Sequence, residues 1–421
     1  MLVRRYAEQF AINKELGKFI AASLASSTGA GMQFIGMSLL LYSMTQSAAS
    51  IGWLLLVHSI AGILLSPWMG VFIDRWSFKR LCVASDAIRA LALGLIPLFA
   101  MQGDVPIGII YATEFILAAC DRFHWPSSMG LIRTIIPESQ LMRANARLGI
   151  ANQLGMLIGS AVGGILVAAF SAIIVIYINM FTFALSALLT FLIKGLYAIN
   201  KSRDTVEKPS VKKDWVEGFM YMKSRPKVIS LVIIQIFGYM TLYVCNTLLP
   251  VFTERELKVG AAGFGYIEAA WAIGAIVGSY MLVKLMERMK FVSFGRISML
   301  LIGGSLIVFL TSAHLAQAMI GYLLLGFFVV SNRIHNETLI QLEIDVAFIG
   351  RVNSMMVMLI SYISLVVYLG VGYLGDAISI RWIYLLMSVL VILSPLLEIR
   401  FSRARKPMHA QTASVQANAG E

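Results

Sequence analysis

Apolar residues run along this chain in long blocks, broken by short charged or turn-forming stretches. The blocks are 18–43, 49–73, 80–101, 106–131, 145–169, 172–195, 227–251, 262–286, 293–313, 316–336, 350–375 and 380–400. A helix needs roughly 20 apolar residues to cross the hydrocarbon core of a bilayer, and a barrel strand about 10 alternating ones. These blocks have helix length. Lipid offers the backbone no hydrogen-bond partner, so each span must satisfy its own peptide groups as a helix. The pattern predicts an all-α membrane protein of twelve transmembrane helices in two six-helix bundles. The expected divisions are an N-terminal bundle, 1–196, a cytoplasmic linker, 197–226, a C-terminal bundle, 227–401, and a disordered polar tail, 402–421. Within the linker, Trp215, Phe219 and Met222 share one helical face, so an interfacial helix ending at Pro226 is expected.

Composition agrees with a lipid setting. Of 421 residues, 59% are hydrophobic and only 13% charged, about half the charge of a soluble domain. The net charge of +12 is read as basic anchoring of cytoplasmic span ends, with no nucleic-acid partner implied. Its distribution tests the span count. Of the 34 Lys and Arg, 28 fall on the side of the two termini and the even-numbered loops. Only Arg255, Lys258 and Arg381 fall in the opposite loops, and Arg89, Arg122 and Arg333 lie within spans. Such a bias places both termini in the cytoplasm of a multi-pass cell-membrane protein. Cys82, Cys120 and Cys245 sit in apolar segments without CxxC spacing, so neither disulfide nor metal is assigned. The first apolar run is too long for a signal peptide.

The halves resemble each other. Arg143-x-Asn145, before span 5, falls on Arg351-x-Asn353, before span 11, and Gly163-Gly164 falls on Val371-Gly372. Two repeats with a site between them form a transporter architecture.

Several spans carry chemistry. Span 4 holds Glu114, then Cys120-Asp121-Arg122-Phe123-His124-Trp125-Pro126. Charges inside a span cost about 2.5–3.5 kcal/mol each on insertion scales, so these imply a wet cavity or partners. Glu114 and Asp121 are seven residues apart and share a helix face. They are the proton-coupling candidates, with Glu268 in span 8 as a third. The alternative is a structural ion pair with an arginine of another helix. Asp86 and Arg89, one turn apart, read as a structural pair. Gln235, Tyr239, Tyr243 and Asn246 form a polar-aromatic stripe on span 7, and Gln33 lies on span 1. These are cavity candidates, with interhelical hydrogen bonding as the alternative. Asn332, Arg333, His335, Asn336 and Glu337 end span 10, where a gate or interface is expected. His58, alone in span 2, reads as a packed or water-bonded histidine.

Loop 2–3 runs Gly70-Val71-Phe72-Ile73-Asp74-Arg75-Trp76-Ser77-Phe78-Lys79-Arg80. It resembles the loop 2–3 signature of the major facilitator superfamily. It reads as a conformational latch in which Gly70 permits close approach and Asp74 accepts hydrogen bonds, with Arg133 as its candidate partner. Loop 8–9, Lys284 to Lys290, lacks the Gly and Asp. Span 5 carries Gly155-x-x-x-Gly159-Ser160-x-x-Gly163-Gly164. Small residues at this spacing let another helix approach. They also resemble the superfamily's antiporter motif, with Ser160 where the family usually has Pro.

Together with Asp86-x-x-Arg89, Pro126, Pro137-x-x-x-x-x-Arg143-x-Asn145 and Glu217-Gly218-Phe219-x-Tyr221, these motifs resemble the major facilitator group that contains macrolide exporters and the enterobactin exporter. The resemblance implies two pseudo-symmetric six-helix bundles, a central site, alternating access and proton-driven efflux of a small molecule. Glu114 stands where many such antiporters carry an arginine, which moves the proton relay onto the carboxylates. A monomer suffices. Import, lipid flipping and a non-transporting receptor or scaffold remain as alternatives. With no nucleotide-binding, nucleophile-elbow or zinc pattern, neither an enzyme nor a cofactor is expected.

Overall fold

A computed structural model of the chain describes residues 2–137, 140–194, 219–222, 224–288, 291–344 and 349–403. Side chains within 2–13, 66–75, 282–293 and 397–403, and at a few isolated positions, fall outside that description. The apolar blocks form twelve helices of 20 residues or more among the described residues. In the first half these are α1 (Leu2–Thr45), α2 (Ala48–Arg75), α3 (Phe78–Met101), α4 (Ile107–Ile135), α5 (Leu141–Ala169) and α6 (Ala172–Phe191). The second half holds α7 (Pro226–Val251), α8 (Gly260–Arg288), α9 (Phe291–Leu310), α10 (Leu315–Glu343), α11 (Ile349–Ala377) and α12 (Ile380–Arg403). Nine described segments are long and apolar enough to cross a membrane, and α9 and α12 add shorter apolar stretches. The helix missing from both sets is α4, which carries Glu114, Asp121, Arg122 and His124.

Two helices outrun their apolar blocks. α1 begins at Leu2, well before the block that starts at Lys18. α10 continues to Glu343, past the polar cluster expected to end it. Asn332, His335 and Asn336 are almost wholly buried. Asn336 Nδ2 donates to Asn332 Oδ1 (2.8 Å) inside the bundle. The cluster is therefore part of the packed wall rather than a helix end.

The halves repeat one packing plan. α1 packs on α5 and α6, α3 on α4 and α6, and α2 on α4. Each pairing recurs six helices later, as α7 on α11 and α12, α9 on α10 and α12, and α8 on α10. The halves meet along two related seams, α5 against α8 and α2 against α11. Each seam turns on glycines. A Cβ on Gly164 would stand 2.6 Å from Gly265 Cα, and one on Gly372 would stand 3.0 Å from Ala49 Cα. Missing side chains let the backbones touch. Gly164→Leu is expected to part the α5–α8 seam. Spin-label pairs across it should shift to longer distances, and an unchanged distribution would count against the seam as a close contact.

One end of the molecule is tied shut, the end opposite the termini. Asp376, at the end of α11, accepts hydrogen bonds from Ala48 N (2.7 Å) and Ala49 N (3.1 Å) at the start of α2, and from Ser47 Oγ. It thus caps a helix of the other half, where a carboxylate also meets the positive end of the helix dipole. Arg255 donates to Tyr42 OH (2.7 Å) and to Gln46 O. Trp53 Nε1 donates to Tyr373 OH (3.2 Å). Further into the seam, Ser364 of α11 hydrogen-bonds Ser59 of α2 (3.3 Å).

Candidate functional site

Between the halves lies a cavity of about 450 Å³. Its wall comes from α1, α2, α4 and α5 on one side and from α7, α8, α10 and α11 on the other. Among the described residues α3, α6, α9 and α12 contribute nothing to it and act as outer supports. This division follows from the packing plan, which gives the same four places in each half to the inner helices.

On the first half the cavity acid is Glu114. His58 Nδ1 lies 2.8 Å from Glu114 Oε1, and Gln33 Nε2 donates to Oε2 (3.1 Å). Three helices thereby hold one carboxylate. The sequence reading treats His58 as an isolated histidine; the structure makes it the carboxylate's direct partner. Its signal in the sequence is weak, a single imidazole in an apolar span.

Deeper in α4, Asp121 also lines the cavity and is paired with Arg89 of α3. Arg89 Nη1 donates to Asp86 Oδ1 (2.9 Å), so the expected Asp86–Arg89 pair is present. Asp86 further accepts from Ser186 Oγ of α6 (2.6 Å) and faces His124 Nε2 of α4 (3.4 Å). Asp86 is 0% and Arg89 3% exposed. The result is a buried charged cluster joining α3, α4 and α6, with one carboxylate, Asp121, reaching the cavity.

The second half holds a neutral counterpart. In α4 the run is Asp121-Arg122-Phe123-His124; in α10 it is Asn332-Arg333-Ile334-His335. Asn332 Nδ2 donates to Ser298 Oγ (2.5 Å) and Gly295 O (3.3 Å) of α9. Gly295 and Ser298 are three apart, like Asp86 and Arg89. His335 lies beside Gly295 as His124 lies beside Asp86. The same helix positions thus carry an ionic network in one half and a neutral hydrogen-bonded one in the other. This four-residue repeat is visible in the sequence once spans 4 and 10 are aligned, and the sequence reading does not use it.

The remaining wall is polar and aromatic. Gln235, Tyr239 and Asn246 of α7 face the cavity as expected, joined by Glu268, Trp271, Arg333 and Tyr368. Tyr243 stands one layer back, packed between Tyr239 (6.1 Å between ring centroids) and Tyr368 (5.0 Å). Ser160 lines the cavity. Gly155 and Gly159 lie against α1, where a Cβ would stand 2.7 Å from Ser27 Cβ and 3.1 Å from Gly31 Cα respectively. Gly163 also faces α1, where a Cβ would stand 3.4 Å from Met32 Cα, and Gly164 faces α8. The span-5 stripe is therefore a packing surface on two sides.

Of the loop 2–3 residues, Gly70, Asp74 and Arg75 end α2 with side chains outside the described residues, so the Asp74–Arg133 pairing lies outside them too. Arg133 is in the last turn of α4. Lys79 Nζ donates to Ile193 O (2.8 Å), tying α3 to the end of α6. Arg80 N donates to Ser77 Oγ (3.3 Å), which caps α3. Arg143, Arg351 and Asn353 side chains, the Lys284–Lys290 loop side chains, residues 195–218 with Trp215, Glu217 and Gly218, and the tail from 404 also lie outside the described residues. What is described of the linker docks on the second half: Met222 packs with Val228, Ile340 and Val352. Among the described residues no group of three or more His, Cys, Asp or Glu is placed to hold a metal ion.

A family model described as the Major Facilitator Superfamily matches residues 19–368. The chain belongs to that superfamily. It is 24% identical over 367 residues to the uncharacterized MFS-type transporter YfmI of Bacillus subtilis strain 168, covering 84% of this chain and 88% of the relative. Similarity extends to macrolide efflux protein A of Streptococcus pyogenes (21% over 250 residues; 58% of this chain, 60% of the relative). It extends as well to the multidrug efflux pump Tap of Mycolicibacterium fortuitum (23% over 270 residues; 61% and 64%). The match thus spans under two thirds of either efflux protein. Among solved structures, the nucleoside transporter NupG superposes with a TM-score of 0.73 at 12% identity, covering 92% of this chain and 99% of that one. An inward-facing bacterial homologue of ferroportin gives 0.72 at 14% identity, covering 93% and 99%. At such identities the likeness is one of fold. The protein is a multi-pass superfamily transporter, and its twelve helices in two repeats are the superfamily's architecture.

Proposed function

We propose that this transporter exports a small amphipathic molecule in exchange for protons, with both termini in the cytoplasm. The observation that carries the reading is Glu114, a carboxylate held by His58 and Gln33 inside a cavity that both halves line. An acid sheltered from bulk water, with a titratable imidazole beside it, is suited to take and release a proton. A wall of tyrosine, tryptophan, glutamine and asparagine suits a ligand with an apolar body and a few polar groups. With the basic side in the cytoplasm, the tied end faces outward and the structure is inward-facing. Opening it requires Asp376 to leave the start of α2 and Arg255 to leave Tyr42. Alternating access is then a rocking about the two glycine seams. The efflux names among the relatives favour the outward direction, and Asp121 stands as a second proton carrier along the route.

Everted membrane vesicles test the direction and the coupling. With a macrolide as trial substrate, acidifying the lumen should drive uptake, and a protonophore should abolish it. Uptake indifferent to the pH gradient would remove proton coupling. Uptake driven by an alkaline lumen would indicate the reverse, symport-like direction. Binding without accumulation would leave a receptor.

A further inference from the structure

Glu268 is the one cavity-lining carboxylate among the described residues that has no basic partner. Glu114 has His58, and Asp121 has Arg89. Glu268 Oε1 is buried and has no hydrogen-bond partner among the described residues. Behind the carboxyl stand Tyr322, which hydrogen-bonds it, and Cys245, both almost fully buried. The residue lies eight positions into α8, and Glu114 seven into α4. Both helices start at the tied end, so helix rise puts the two acids at a similar depth, about 10–12 Å below it.

A carboxylate with no counter-charge in an enclosed place is costly, and a cation beside it lowers that cost. The surroundings favour one kind of cation. Trp271, one turn along α8, also lines the cavity, and its ring lies 5.3 Å from that of Tyr322. The face of an indole attracts positive charge. At a comparable depth the opposite wall carries Glu114, already held by His58 and Gln33, and beside it the apolar Met37, Leu54 and Leu55. A metal ion would find a single carboxylate and no ligand cluster. An anion would meet Glu268 itself, and a neutral ligand would leave it without a counter-charge.

We propose that Glu268 and Trp271 form a cation subsite in the cavity, which takes the protonated amine of an amphipathic substrate. The ammonium pairs with the Glu268 carboxylate and lies by the indole, and the apolar body rests on the aliphatic wall. The subsite deepens the export reading by naming the substrate's charge. It depends on that reading only for the ligand being carried.

The test is binding to the purified full-length protein in detergent, with no gradient present. The probe is dansylcadaverine, an aromatic body with a primary ammonium, followed by tryptophan-to-dansyl energy transfer. Its neutral N-acetyl derivative is the control. The cationic probe should bind at least about tenfold more tightly than the neutral one. Glu268→Gln should remove most of that preference. Trp271→Phe should weaken cation binding less than Trp271→Leu. Equal binding of the two probes to the wild type, or no binding of the cationic one, would overturn the subsite, whether or not the variants fold. So would an unchanged preference in Glu268→Gln. Proton coupling could fail in vesicles and leave these results intact. Conversely, proton-driven export confined to neutral substrates would sink the subsite and leave export standing.

Discussion

Arg89→Met is expected to lower the protein's stability by about 3–5 kcal/mol, the usual cost of breaking a buried ion pair from one side. It should appear as a clear fall in melting temperature in detergent. Arg89 holds Asp86 and Asp121 together, and Asp86 has no contact with solvent. Without the guanidinium, Asp86 keeps Ser186 and His124 but loses its permanent counter-charge. The second half shows how the same positions can be filled without charge, with Ser298 and Asn332 in place of Arg89 and Asp121. The combination Asp86→Asn, Arg89→Ser, Asp121→Asn should therefore recover most of the stability that Arg89→Met loses, because no charge is left stranded. A single variant as stable as the wild type would mean that the cluster is not held by its ionic contacts. A triple variant no better than the single would mean that the neutral network of α9 and α10 is not a true counterpart.

The second large effect is expected at Glu114. Glutamine has nearly the same shape and can keep contacts to Gln33 and His58, but it cannot carry a proton. Glu114→Gln should fold, bind substrate and allow substrate-for-substrate exchange across a membrane. Proton-driven accumulation should fall to the equilibrium level. Transport assays run with and without a pH gradient separate the two activities. Loss of both would make Glu114 a binding or structural group. Loss of neither would move the proton to Asp121 or Glu268.

Much of the architecture is legible in the sequence because lipid imposes a strict rule. Every backbone polar group must be satisfied within its span, so long apolar runs become helices, and their number follows from length. Helix ends are less legible. α1 and α10 run past their apolar blocks because helical backbone can continue through polar residues when tertiary contacts satisfy them, as where Glu15 accepts from Lys194 N and Glu343 O accepts from Arg225. Side-chain partnerships are the least legible. His58 and Glu114 are 56 residues apart, and Arg89 and Asp121 are 32 apart. A span apolar on all sides gives little sign of which face turns inward. The α7 stripe illustrates the limit: three of its four residues reach the cavity, and Tyr243 stops one layer short. Glu114 and Asp121 were readable as unusual because a charge in a span is rare, whereas their partners required the packing of α2 and α3 against α4. The correspondence of Asp121 to Asn332 was readable from the chain alone, but its meaning needed the matching contacts of α3 and α9.

The central claim is that substrate moves one way only as protons move the other, through a cavity acid. Proteoliposomes loaded with the pH indicator pyranine test it in one trace. With no pH gradient imposed, a macrolide added outside enters down its own gradient, and the lumen should become alkaline as protons leave. Glu114→Gln vesicles should stay flat while still admitting substrate. A flat trace from the wild type during measurable substrate entry, or an alkaline shift of equal size in Glu114→Gln, would contradict the account.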